Sequence, residues 1–166
     1  MKLQRSTIFA LYAVLELARD ADTQLATGEI AARYGISAHH LAKVMRQLVR
    51  ARLIQSARGA GGGYRLAVNP NRVTLMDVVA VFEDRLTSSF DDEASADDDS
   101  SGASGDIGLA LQAVRDEIED LTRATLASIT LATLVDSAGR LAAAPKAEAE
   151  TEPDDTPTTP ELAPLT

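Results

Sequence analysis

Four of the five residues from Gly59 to Gly63 are glycine, and this run lies between two short alternating segments, Leu53-Ile54-Gln55-Ser56-Ala57 and Tyr64-Arg65-Leu66-Ala67-Val68. Alternation puts successive side chains on opposite faces of a strand, and glycines permit a sharp reversal, so the stretch predicts a β-hairpin. A glycine-rich run can also cradle a nucleotide phosphate. That use needs a following helix N-terminus or a Lys-Ser/Thr pair, and here the loop runs into a strand.

Helical patterns surround the hairpin. Ile8, Leu11, Tyr12 and Leu15 recur at helical spacing after Ser6 and Thr7, either of which can cap a first helix. A second helix is expected from about Thr27 as its N-cap, with Glu29 in its first turn, to Gly35, the residue type that closes helices in a left-handed conformation. Ser37 can cap a third helix running to about Ala51, whose Leu41, Val44, Met45, Leu48 and Val49 form one apolar stripe. Asn69-Pro70-Asn71 marks a turn, and Thr74 starts a short helix through Leu75, Val78, Val79 and Phe82. The fold class expected is mainly α with a small β-hairpin wing: a winged helix-turn-helix.

A longer helix is expected from about Ile107 to Val135, with Leu111, Val114, Ile118 and Leu121 at spacings of three and four among charged residues. A small winged domain cannot cover such a helix, so a homodimer through residues 107–135 is the expected way to bury its stripe. The divisions are 1–84 for the DNA-binding domain, 85–106 for an acidic flexible joint, 107–136 for the dimerisation helix and 137–166 for a disordered acidic Pro/Thr-rich tail.

Charge divides along the same lines. Residues 1–76 hold eleven Lys and Arg against four acids, a balance of +7, whereas the remaining ninety hold five against twenty-one, a balance of −16 within a net −9. A basic module joined to an acidic remainder points to nucleic acid at the basic end. At about 100° per residue, His39, Lys43, Arg46 and Arg50 fall opposite the Leu41/Met45/Leu48 stripe, with His40 and Gln47 on the flank. In a helix-turn-helix this face enters the major groove: His39, His40 and Lys43 near the helix start approach base edges, Arg46 and Arg50 approach phosphates, and Ser37 at the helix entry is counted with the DNA-binding residues. The hairpin adds Arg58, Gly59, Tyr64 and Arg65, with cations on both sides of a thin turn that an arginine can carry into the minor groove. An ordinary solvated basic face is the bland alternative.

Gly35-Ile36-Ser37 through Leu41, Leu53-Ile54, the run from Arg58 to Leu66, Val73 to Val79 and Ser128 to Val135 resemble the IscR/NsrR/RirA-type (Rrf) family of bacterial winged helix-turn-helix regulators. The resemblance covers about residues 1–135. It implies a homodimer with crossed long helices, double-stranded DNA with a palindromic operator as partner, contacts from His39, His40 and Lys43, a minor-groove arginine at Arg58, and a repressor. Many such regulators hold an iron–sulfur cluster on three cysteines in the joint. This chain has no cysteine, so thiolate clusters, disulfides and cysteine redox sensing are excluded.

Asp92, Glu93, Asp97, Asp98 and Asp99 occupy the joint in place of thiolates; hard carboxylates suit Mg²⁺ or Ca²⁺, so a carboxylate-based metal-responsive regulator is one alternative. A winged-helix protein–protein interaction module is another. No cofactor is assigned, and no nucleophile–base arrangement suggests an enzyme. No stretch approaches the roughly 20 apolar residues of a membrane span, and a cytoplasmic protein is expected.

Overall fold

The structure, a computed structural model, describes residues 3–20, 22–57, 62–83 and 106–143. Among the described residues eight elements follow in order: α1 (Arg5–Arg19), α2 (Thr27–Tyr34), α3 (Ala38–Arg50), β1 (Ile54–Ala57), β2 (Gly63–Leu66), α4 (Leu75–Val79), α5 (Asp106–Ser128) and α6 (Leu131–Ala143). The core gathers Ala10, Ala13, Val14 and Leu17 of α1, Leu41, Met45 and Leu48 of α3, Ile54 of β1, Val78 of α4 and Leu131 of α6, all shielded from solvent. Alanines at positions 10 and 13 keep α1 slim on the side it buries, so it packs against α3, α4 and α6 together.

Both helices of the helix-turn-helix end in the same closure. Gly35 takes the left-handed conformation (φ 62°), and the Ile36 N–H reaches back to the Ala31 carbonyl at 2.9 Å. At the end of α3 the left-handed residue is Arg52 (φ 61°), with Arg52 N–H on the Val49 carbonyl and Leu53 N–H on the Leu48 carbonyl at 3.1 Å. This pair of back-reaching bonds satisfies terminal carbonyls that no further turn would meet.

The hairpin is antiparallel, with Ile54 opposite Leu66 and Ala57 opposite Gly63. Buried Ile54 and Leu66 anchor its base. Tyr64 also exchanges two backbone bonds with Leu25, at 3.0 and 2.9 Å, so the segment before α2 adds a single third rung.

Several local expectations are corrected. Neither Ser6 nor Thr7 caps α1: the N-cap is Gln4, and the buried Thr7 hydroxyl donates instead to Glu83 at 2.5 Å. Helix α2 starts at Thr27 with Ala26 as its cap residue, whose N–H donates to the Glu29 carboxylate at 2.6 Å. Thr74 does cap α4, accepting from the Asp77 N–H at 3.2 Å while Asp77 accepts from the Thr74 N–H at 2.7 Å.

The single helix expected over 107–135 is two. At Ile129–Thr130 the backbone leaves the helix to pair with the segment before α4: Leu75 N–H donates to Ile129, Leu131 N–H to Val73, both at 2.9 Å, and Ala132 N–H to Pro70 at 3.1 Å. Burial of Leu131 beside α1 favours this pairing over continued helix. Helix α6 then runs to Ala143, through residues 137–143 that the sequence assigns to a tail. Of the joint expected over 85–106 only Asp106, the first residue of α5, is described; residues 84–105 and 144–166 lie outside the described residues.

Candidate nucleic-acid interface

Helix α3 presents two chemically distinct faces. Leu41, Met45 and Leu48 are fully buried and Val44 nearly so, because the stripe they form is the one α1 and α2 can cover. His39, His40, Lys43, Arg46, Gln47 and Arg50 are exposed, and α3 contains no acidic residue. The His39 and His40 rings are 6.2 Å apart and tilted by 50°, so they do not converge on one point. Ser37 holds the N-cap position, and its carbonyl accepts from the Leu41 N–H at 2.9 Å; its hydroxyl makes no capping bond, contrary to the role read from the sequence.

Of the hairpin residues, Arg65 is exposed and Tyr64 half-buried. Arg58 and Gly59 lie outside the described residues. A β-carbon on Gly63 would come within 2.7 Å of the Leu25 carbonyl oxygen, so glycine at this position is required by a close backbone approach rather than by the turn. The wing and the segment entering α2 are therefore held together by main chain.

The orientation of α2 against α1 rests on a cluster around Glu16, an acid inside the apolar run Ala13-Val-Leu-Glu-Leu-Ala18. Its buried carboxylate accepts from the Tyr34 hydroxyl at 2.7 Å, from Arg19 at 3.0 Å and from Arg33. Tyr34 stacks on Tyr12 with ring centroids 4.4 Å apart. Burial pushes the Glu16 carboxyl up, but the Tyr34 hydroxyl and the two guanidinium groups outweigh it and hold the group below its ordinary value. Burial, then the hydrogen bond and charge of Glu16, push the Tyr34 hydroxyl up to about 12. Sequence reasoning did not single out Glu16; an acid interrupting an apolar helical run was its visible signal.

Among the described residues no group of three or more His, Asp or Glu side chains is gathered as a metal site, and no helix is long and apolar enough to cross a membrane.

Residues 3–137 match the Rrf2 family, described as iron-dependent transcriptional regulators. The chain is 49% identical over 135 residues to a protein of Rhodopseudomonas palustris named HTH-type transcriptional regulator BadM, covering 81% of each. Among solved structures it resembles T. potens IscR, with a TM-score of 0.68 and 26% identity over 87% of this chain and 93% of that one. It also resembles CymR, the global cysteine regulator of B. subtilis, with a TM-score of 0.66 and 25% identity over 82% and 98%. A thiolate-bound iron centre, which the family's description brings to mind, does not fit this donor set, because the chain has no cysteine to ligate it.

Proposed function

The chain belongs to the Rrf2 family of helix-turn-helix transcriptional regulators, and from that premise we propose that it is a cytoplasmic, homodimeric repressor of a palindromic operator that works without an iron–sulfur cluster. The observation that carries this reading is the solvent face of α3: cations and histidines with no acid, opposite a fully buried stripe. Ser37, His39, His40 and Lys43 read base edges in the major groove, and Arg46 and Arg50 hold phosphates. Arg58, Gly59, Tyr64 and Arg65 form the wing, with Arg58 entering the minor groove.

The dimer is supported by α5, which buries none of its residues and exposes Ile107, Leu111, Val114, Ile118 and Leu121. Their spacing of four, three, four and three is that of a helix seam seeking a partner. Two copies so joined present two recognition helices to a two-fold symmetric site.

Anisotropy titrations of genomic duplexes across a range of salt test the proposal. The expected result is binding that weakens steeply with salt and is lowered by Arg58→Ala, with reporter expression rising when the gene is deleted. Negligible affinity for every duplex, even at the lowest salt, would overturn it.

A further inference from the structure

The basic surface does not end with α3. A cleft of about 460 Å³ runs between the first turn of α1 and the solvent side of α3, with Arg5 and Ser6 contributed by one helix and His40, Lys43 and Gln47 by the other. Arg5, His40, Lys43 and Gln47 are exposed, and half-buried Phe9 lies at the cleft's inner side. Among the described residues no acidic side chain lines it. Glu83, next in sequence to the cleft-lining Phe82, is buried and turned to Gln4 and Thr7, from which it accepts three hydrogen bonds.

We propose that this cleft seats the phosphate backbone bordering the major groove, with Arg5 and Ser6 of α1 as a DNA-binding arm that holds the phosphate while His40 and Lys43, on the opposite wall, reach past it to the base edges. The assignment rests on the proposed DNA reading and extends it to a helix that sequence spacing never joined to the site. A point of high negative charge density suits a site with cations on two walls and hydroxyl and amide groups between them. A phosphodiester bends around such a cleft without requiring any base contact, so the arm adds affinity and register but no sequence preference.

The test compares the full-length chain with Arg5→Ala, Arg5→Lys and Arg140→Ala, the last removing one charge from α6, away from the cleft. Affinity for specific and random duplexes is measured between 50 and 300 mM salt. Arg5→Ala is expected to weaken binding to all duplexes alike, by about three- to tenfold at 0.1 M salt, and to lower the log–log salt slope by about 0.9, one phosphate's worth. Arg5→Lys should keep the parent slope, and Arg140→Ala should behave as the parent. An unchanged slope and affinity in Arg5→Ala, an equal loss in Arg140→Ala, or a loss in Arg5→Lys as large as that in Arg5→Ala overturns the arm while leaving the DNA reading intact. Failure of the parent to bind any duplex overturns both.

Discussion

Glu83 caps the first helix of the protein from the far end of the DNA-binding domain. Its carboxylate accepts from the Gln4 N–H at 2.7 Å and from the Gln4 side-chain amide at 3.1 Å, across a sequence separation of 79 residues. Thr7, fully buried, donates to the same group. One acid thus ties the entry of α1 to the exit of the segment after α4. Removing it leaves the fully buried Thr7 hydroxyl without its partner and takes the part-buried bonds from Gln4 with it. Glu83→Ala is expected to lower stability by about 1–3 kcal/mol and Thr7→Val by about 1 kcal/mol, read from urea midpoints at constant m-value. A change within experimental error in both variants would show the cap to be idle.

The two left-handed helix ends give a matched pair with opposite signs. Gly35 and Arg52 adopt nearly the same φ, 62° and 61°, but only the first is the residue type that accepts it without strain. Space does not forbid a side chain at Gly35, since no atom lies within 4 Å of an added β-carbon. Gly35→Ala should therefore cost about 1 kcal/mol through backbone strain, and Arg52→Gly should gain about 0.5–1 kcal/mol. Thermal and urea unfolding of both variants checks the signs; the same sign for both would contradict a backbone origin.

Protonation of Glu16 predicts the acid limb of stability. Its carboxyl is held below the ordinary value of 4.5 in the folded protein, so the unfolded chain takes up the proton first as pH falls. The stabilisation is therefore complete above about pH 4.5 and fades as pH drops through the lower folded value. Glu16→Gln should be less stable than the parent at pH 7 by about 1–3 kcal/mol, and the gap should narrow below pH 4.5. A gap independent of pH would show that the charge of Glu16 adds nothing to its hydrogen bonds.

Helix α5 offers a change that separates assembly from folding. Ile118 is 45% exposed and Leu121 60% exposed within one chain, and the helix buries nothing of its own. Ile118→Lys combined with Leu121→Lys is expected to shift the sedimentation coefficient toward a monomer with little loss of helical circular dichroism in α1–α4. Operator affinity should fall with it, because two half-sites no longer bind as one unit. A variant that sediments as the parent would mean that the seam lies elsewhere.

The helix-turn-helix was legible in the sequence because its signals are local. Leu41, Met45 and Leu48 repeat at helical spacing, and Gly35 marks the turn by its residue type alone. The hairpin was legible for the same reason. What escaped were features fixed by distant main chain. Between Ser128 and Leu131 the only local signal is Thr130, whose hydroxyl accepts from the Thr133 N–H at 3.2 Å; the main-chain pairing at the interruption is with residues 70–75, far back in the chain. Gly63 reads as one more turn glycine, yet the carbonyl that demands it belongs to Leu25. Thr7 looks like a cap only until the carboxylate of Glu83 arrives from the other side. The exposed side of α3 could be computed from a helical wheel, but the closeness of Arg5 to it depends on how α1 crosses α3, which no periodicity encodes.

The interruption at Ile129–Thr130 governs how force passes between the two halves of the molecule. Its three main-chain bonds to Pro70, Val73 and Leu75 weld the stalk to the reading head without relying on any particular side chain. In the proposed dimer, mutational drift along α5 would therefore retune how tightly two copies grip each other while the angle at which each head leaves the stalk stayed constant, so that the separation of two half-sites would be inherited as a fixed gauge.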